Sequence, residues 1–132
     1  MKLESAREKG KCYERELGKE IEQRLGGRAW RSPSSGAMWY AKQDVVCTGN
    51  IMQRFHIEAK RQERVNLEEA YGQALRGAGT DKIPIVVTRR SRDTSMVYMK
   101  WDDLLTLLEE LQLMGSSGRK PPRGREASRD NR

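Results

Sequence analysis

The chain has 132 residues, 36% of them hydrophobic and 34% charged, with a formal net charge of +7 from 26 Lys and Arg against 19 Asp and Glu. That size suits one modest domain, and a strongly basic balance points to a polyanionic partner, most often nucleic acid. No apolar run approaches the roughly 20 residues of a membrane span, and Met1-Lys2-Leu3-Glu4-Ser5 lacks the apolar segment of a signal peptide, so no membrane partner and an intracellular, cytoplasmic location are expected.

Residues 5–25 read as a helix, with Leu17, Ile21 and Leu25 at helical spacing, Tyr13 one turn earlier, and Gly26-Gly27 as the stop. Residues 28–32 alternate as a short strand does, and 33–42, Pro-Ser-Ser-Gly-Ala-Met-Trp-Tyr-Ala-Lys, read as a loop. Residues 43–48 and 52–61 form the two strands of a hairpin about Gly49-Asn50. Asn66 caps a helix over 67–76, ended by Gly77 and Gly79. Residues 83–89 make a buried strand with Pro84 near its start, and 95–100 make another. A last helix starts at Asp102 or Asp103. Its Leu104, Leu105, Leu107, Leu108 and Leu111 form a broad apolar face, read first as core and second as part of a dimer interface.

The order is helix, three strands, helix, two strands, helix, which predicts an α/β domain with helices around a central mixed five-stranded sheet. The domain spans 1–114. Residues 115–132 hold six basic and two acidic residues among Gly, Ser and Pro, and read as a basic disordered tail that carries more than half of the net charge. Such a tail is a spacer, a nonspecific DNA tether or an appended remnant. Cys12 and Cys47 lack metal-like spacing and read as reduced, partly buried thiols.

Strand alternation sends Phe55, Ile57 and Ala59 toward a core and places His56, Glu58 and Lys60 on the opposite face. Asp44 lies near the start of the preceding strand, where it meets Glu58 across the pair. Phosphodiester hydrolysis needs an attacking water and stabilisation of charge on the phosphoryl and leaving oxygens. Magnesium held by a few carboxylates, with open positions for water, provides both. Asp44 and Glu58 are the candidate ligands, with the Ala59 carbonyl as a third oxygen. The Lys60 ammonium reaches the attacking water or the phosphate, as an orienting group or as a base. The same spacing also fits a solvated hairpin face carrying a Glu58–Lys60 surface pair.

Further residues carry a resemblance. Lys9-Gly10-Lys11-Cys12-Tyr13-Glu14-Arg15-Glu16-Leu17 resembles the opening of archaeal-type Holliday junction resolvases, with their basic-glycine start and Glu-Arg-Glu-Leu helix. Arg31-Ser32-Pro33-Ser34-Ser35-Gly36 is similar to the Arg-x-Pro-x-Ser-Gly loop of that family, and Asp44-Val45-Val46 and Ile57-Glu58-Ala59-Lys60 to its metal-site strands. The order and approximate spacing agree over residues 9 to about 112. Gln43 stands where that family often has proline, and Trp39-Tyr40 are not required by its pattern. The parent group is the PD-(D/E)xK nuclease superfamily, with a restriction-endonuclease-like fold.

The resemblance implies a metal-dependent DNA endonuclease, using Mg2+ with Mn2+ as a substitute, that makes paired symmetric nicks in four-way DNA junctions as a homodimer. Cellular and phage recombination systems both fit, the latter with action in the host cytoplasm. The implied catalytic set is Glu14, Ser35, Asp44, Glu58 and Lys60, and the implied metal set is Glu14, Asp44, Glu58 and Ala59. Glu14 would reach the site from the first helix, directly or through a water, and Ser35 would touch the scissile strand. Candidate DNA contacts are Lys9, Lys11, Arg15, Arg31, Ser35, Lys42, Arg61 and Gln73, with Arg7, Arg28 and Arg64 also flanking the motifs. Trp39 and Tyr40 either stack on unpaired bases or pack against protein. His56 either contacts phosphate or water, or packs within the strand. Rival readings are another nuclease of the superfamily (flap, mismatch or restriction-like) and a basic DNA-binding protein without chemistry.

Overall fold

The computed structural model describes residues 5–32 and 43–115. It divides the chain into two compact units, Met1–Met99 and Lys100–Arg132.

The first unit opens with α1 (Ala6–Leu25), capped by the Ser5 hydroxyl, which accepts the Glu8 N–H at 3.1 Å. There follow β1 (Arg28–Arg31), β2 (Val45–Thr48), a 3-10 turn (Ile51–Arg54), β3 (Phe55–Arg61), α2 (Leu67–Ala78), β4 (Ile83–Arg89) and β5 (Met96–Tyr98). The five strands form one sheet in the order β1-β2-β3-β4-β5. Only β3 and β4 are parallel; the other neighbours are antiparallel. A parallel pair needs a long crossover, and α2 supplies it. The expected α/β class, the mixed five-stranded sheet and the order of elements are all present, consistent with a restriction-endonuclease-like fold.

Each face of the sheet carries its own core. On one face Tyr13 and Leu17 of α1 pack with Ala29, Val45, Cys47, Ile57, Ile85 and Val87. On the other, Ala70 and Ala74 of α2 pack with Val86, flanked by Val65, Leu67 and Tyr71. This explains why β4 reads as an unbroken apolar run: Pro84 to Val87 are all buried. It also revises the hairpin face. His56 and Glu58 do point away from Ile57, but α2 covers them, so they are 3% and 9% exposed rather than solvated. Cys12 is half-buried on α1, and Cys47 lies within the core.

Several boundaries differ from the sequence reading, two of them for a clear local reason. Residues 51–54 are a 3-10 turn instead of the first part of a strand, because the Asn50 side chain accepts the Met52 N–H at 2.9 Å and winds the chain there. Gly77 does not end α2. It lies inside the helix, where its missing side chain makes room for the His56 ring, and Gly79 with φ +60° forms the cap instead.

The second unit contains α3 (Trp101–Gly115). None of its residues is buried; Leu105, Leu108 and Leu111 are 38%, 46% and 63% exposed. The expected core role of these leucines is therefore corrected. The buried apolar residues come from α1, the sheet and α2. The basic tail over 116–132 lies outside the described residues. Among the described residues no helix is long and apolar enough to cross a membrane.

Candidate active site

The site is built where β2 enters the sheet beside β3. Asp44 precedes β2 and is held by main chain on both sides: its N–H donates to the Ile57 carbonyl at 2.8 Å, and its carbonyl accepts the Ser32 N–H at 3.0 Å. Pairing between β2 and β3 is confined to Val45 opposite Ile57. One step further along β3, the Asp44 side chain takes the place of a strand partner, and its Oδ2 accepts the Ala59 N–H at 2.7 Å. The role of Ala59 seen here is thus to fix Asp44 through its N–H. Strand alternation then leaves Glu58 and Lys60 on the face toward α2, with Lys60 Nζ 3.7 Å from Glu58 Oε2. The Asp44 and Glu58 carboxyls lie close enough to influence each other's protonation.

Glu14 reaches the same region from α1. It sits one residue after the buried Tyr13, at the border of the apolar face, and its side chain is 17% exposed. Its Oε1 lies 2.9 Å from Arg31 Nε at the end of β1. Sequence spacing gave no hint of that ion pair, because the two residues belong to different elements.

The electrostatics tie the carboxylates together. Burial pushes the Glu58 carboxyl up to about 7, and the charges of Asp44 and Glu14 push the same way, while Lys60 opposes them. Burial raises Asp44 above the usual carboxylate range despite the Ala59 N–H and the Lys60 and Arg31 charges. Burial and then the Asp44 charge raise Glu14, with Arg31 opposing. Three acidic groups therefore sit within electrostatic range of one another in a site that disfavours their ionisation. Perturbed carboxylates gathered in one cleft are a signature of a candidate functional site.

Among the described residues, no three His, Cys, Asp or Glu side chains converge as a ready-made metal cage. The donor set nevertheless suits a hard divalent cation: all three groups offer carboxylate oxygens, and a cation would offset the mutual repulsion and the burial that disfavour their charged forms. His56 does not join them. It is packed against Gly77, and burial and the charge of Lys82 lower its pKa to about 4, so it is a neutral packing residue at ordinary pH.

A cleft of about 230 Å³ opens beside the carboxylates, lined by Arg7, Gly10, Lys11, Glu14, Arg31, Ser32, Gln43 and Asp44 among others. Of the proposed DNA contacts, Lys11 and Arg31 line this cleft. Gln73 lines a second, polar pocket of about 140 Å³ together with Lys60, Gln62, Asn66 and Glu69. Lys9 and Arg15 are exposed on α1, and Arg61 pairs with Glu63 at 3.6 Å. Ser35, Lys42, Trp39 and Tyr40 lie outside the described residues. Tyr71 packs edge-on against Tyr98, with ring centroids 5.9 Å apart. Glu63 went unnoticed in the sequence; its signal was a lone acid within the run Arg61-Gln62-Glu63-Arg64.

In comparison with known proteins, residues 5–117 match the family model described as phage putative PDDEXK endonuclease. No curated protein and no solved structure matches the chain.

Proposed function

The chain belongs to this PDDEXK endonuclease family and is a nuclease of the PD-(D/E)xK type; from that premise we propose that it is a magnesium-dependent endonuclease that resolves four-way DNA junctions by paired, symmetric nicks. The observation that carries the chemistry is the convergence of Asp44, Glu58 and Lys60, with Asp44 locked to the Ala59 N–H at 2.7 Å and Lys60 3.7 Å from Glu58.

In this reading Asp44 and Glu58 hold the cation, with Glu14 as a third ligand or as a water-mediated one. A bound magnesium ion would neutralise charge on the phosphoryl oxygens and make a coordinated water more acidic. Lys60 is placed to hydrogen-bond the attacking water or a phosphate oxygen, and its position beside Glu58 keeps it in that register. Arg31, Lys11 and Arg7 face the same cleft as Asp44 and Glu14 and supply positive charge for the strand that enters it. Ser35 and Lys42 are assigned to the scissile strand through the motif resemblance alone.

Junction selectivity is supported by the ordered set of motifs around Glu14, Arg31–Gly36, Asp44 and Glu58–Lys60, together with the basic charge of the chain. A four-way junction has approximate two-fold symmetry, so paired nicks on opposing strands call for two sites related by a dyad, which a homodimer provides.

The test is strand mapping on a fixed four-way junction with magnesium, alongside a flap and a matched linear duplex. Symmetric paired nicks near the branch point support the proposal. Preferential cutting of the flap or the duplex assigns the chain to another branch of the superfamily. Tight junction binding without any cleavage would leave only the DNA-binding reading.

A further inference from the structure

Beyond the carboxylate site, one acidic side chain stands in basic surroundings. Glu63 follows β3, and its side chain is 63% exposed. Its Oε2 accepts the Ser91 N–H at 2.8 Å. Arg61 Nη1 lies 3.6 Å from the same oxygen, and the Lys9 ammonium of α1 adds its charge. These donors hold the Glu63 carboxyl below the usual carboxylate range, with the Ser91 N–H as the leading cause.

One backbone N–H and one guanidinium meet here on a single anion, with an ammonium adding its charge. Such a donor set binds a phosphate group, since charge-assisted bonds from N–H groups and arginine are the usual means of holding phosphate oxygens. The carboxylate in it is largely solvent-exposed and so can be displaced without unfolding anything. The position is also close to the chemistry. Arg61 directly follows Lys60 on β3, and the register places Arg61 opposite Arg89, so the β4–β5 connection that carries Ser91 leaves the sheet beside it. That connection presents Arg90 and Arg92 as well, both exposed.

We infer that Glu63 is a resident stand-in for a DNA phosphate, and that Arg61, Lys9 and Ser91 form a second backbone-binding position next to the cutting site. Glu63 keeps the Ser91 connection ordered in the free protein and yields its place when DNA arrives. The inference rests on the proposed function in one respect only, that the incoming anion belongs to DNA.

The experiment uses the full chain carrying Asp44→Asn, so that DNA stays uncut. Dissociation constants for a four-way junction and a matched duplex are measured from about 50 to 200 mM salt. Glu63→Gln empties the position, so affinity should rise at least about threefold and the slope of log affinity against log salt should steepen by about 0.9, the value for one phosphate. Glu20→Gln, which removes an equal charge from α1 instead, should leave the slope unchanged. Adding Arg61→Gln to Glu63→Gln should abolish the gain, because the two changes act on one site. If Arg61→Gln folds poorly, Lys9→Gln, on an exposed residue, serves in its place. Independently, inorganic phosphate should shift the Ser91 amide resonance in Glu63→Gln and not in the chain with Glu63 intact.

A gain from Glu63→Gln no larger than from Glu20→Gln, or one that survives Arg61→Gln, overturns the inference. A Ser91 response to inorganic phosphate without a change in the DNA slope overturns the assignment to DNA. Cleavage by the chain with Asp44 intact is scored separately. A protein that cuts nothing yet passes the binding tests removes the nuclease reading and leaves the phosphate position. One that cuts junctions while failing them removes the phosphate position alone.

Discussion

Glu58→Gln offers the most direct test of the electrostatics of the site. In the folded chain the Glu58 carboxyl is pushed up to about 7 from an ordinary value of 4.5, chiefly by burial and then by the Asp44 charge. A carboxyl that holds its proton more tightly when folded lowers stability as pH rises. Between 4.5 and 7 the folded chain binds more protons than the unfolded one, so the penalty is absent below that window and complete above it. A displacement of that size corresponds to about 3 kcal/mol at most, and residual solvent access reduces it to roughly 2–3 kcal/mol. Glutamine keeps the shape of the protonated carboxyl and does not ionise. In urea unfolding without divalent cations, Glu58→Gln should therefore be more stable than the native chain by about 2–3 kcal/mol at pH 8, and by no more than about 1 kcal/mol at pH 5. Addition of magnesium at pH 8 should stabilise the native chain and not the variant. A difference between the two proteins that is the same at both pH values would refute the assignment of a strained, proton-retaining carboxylate pair.

Asp44→Asn and Lys60→Ala should each slow junction cleavage by at least about 10²-fold in single-turnover assays while junction binding persists, as expected for groups acting in the chemical step. Gly77→Ala removes a helix-weakening glycine, worth up to about 1 kcal/mol, but its new methyl overlaps the His56 ring. A net loss of about 1–2 kcal/mol in thermal or urea unfolding is expected, and His56→Ala in the same chain should recover the helix gain. Asn66→Ala removes the cap that accepts the Glu69 N–H at 3.1 Å and should lower stability by about 1 kcal/mol with cleavage chemistry intact.

Much of this molecule was legible in local pattern. The helical spacing of Leu17, Ile21 and Leu25, the β4 run from Ile83 to Arg89 and the stop at Gly26-Gly27 place their elements within a residue or two of where they lie. The facing of Asp44 against Glu58, with Lys60 two residues on, followed from strand alternation and a hairpin turn. Less legible were features in which a local signal met a distant partner. Gly77 looks like a helix stop until the His56 ring is seen occupying its open side. The leucines of α3 look like core because periodicity reports an apolar face and says nothing about what, if anything, covers it.

The sequence by itself determined the order of elements, the α/β class, the shared face of Glu58 and Lys60 on one strand and the nearness of Asp44 across the hairpin. These depend on backbone periodicity and turn chemistry, which act over a few residues. Only the tertiary structure decided that α2 buries Glu58 and so raises its pKa, that Arg31 pairs with Glu14, and that Ser91 hands its N–H to Glu63. Burial and the choice of ionic partner arise between segments far apart in the chain, and it is those two quantities that turn an ordinary Glu-x-Lys spacing into a candidate active site.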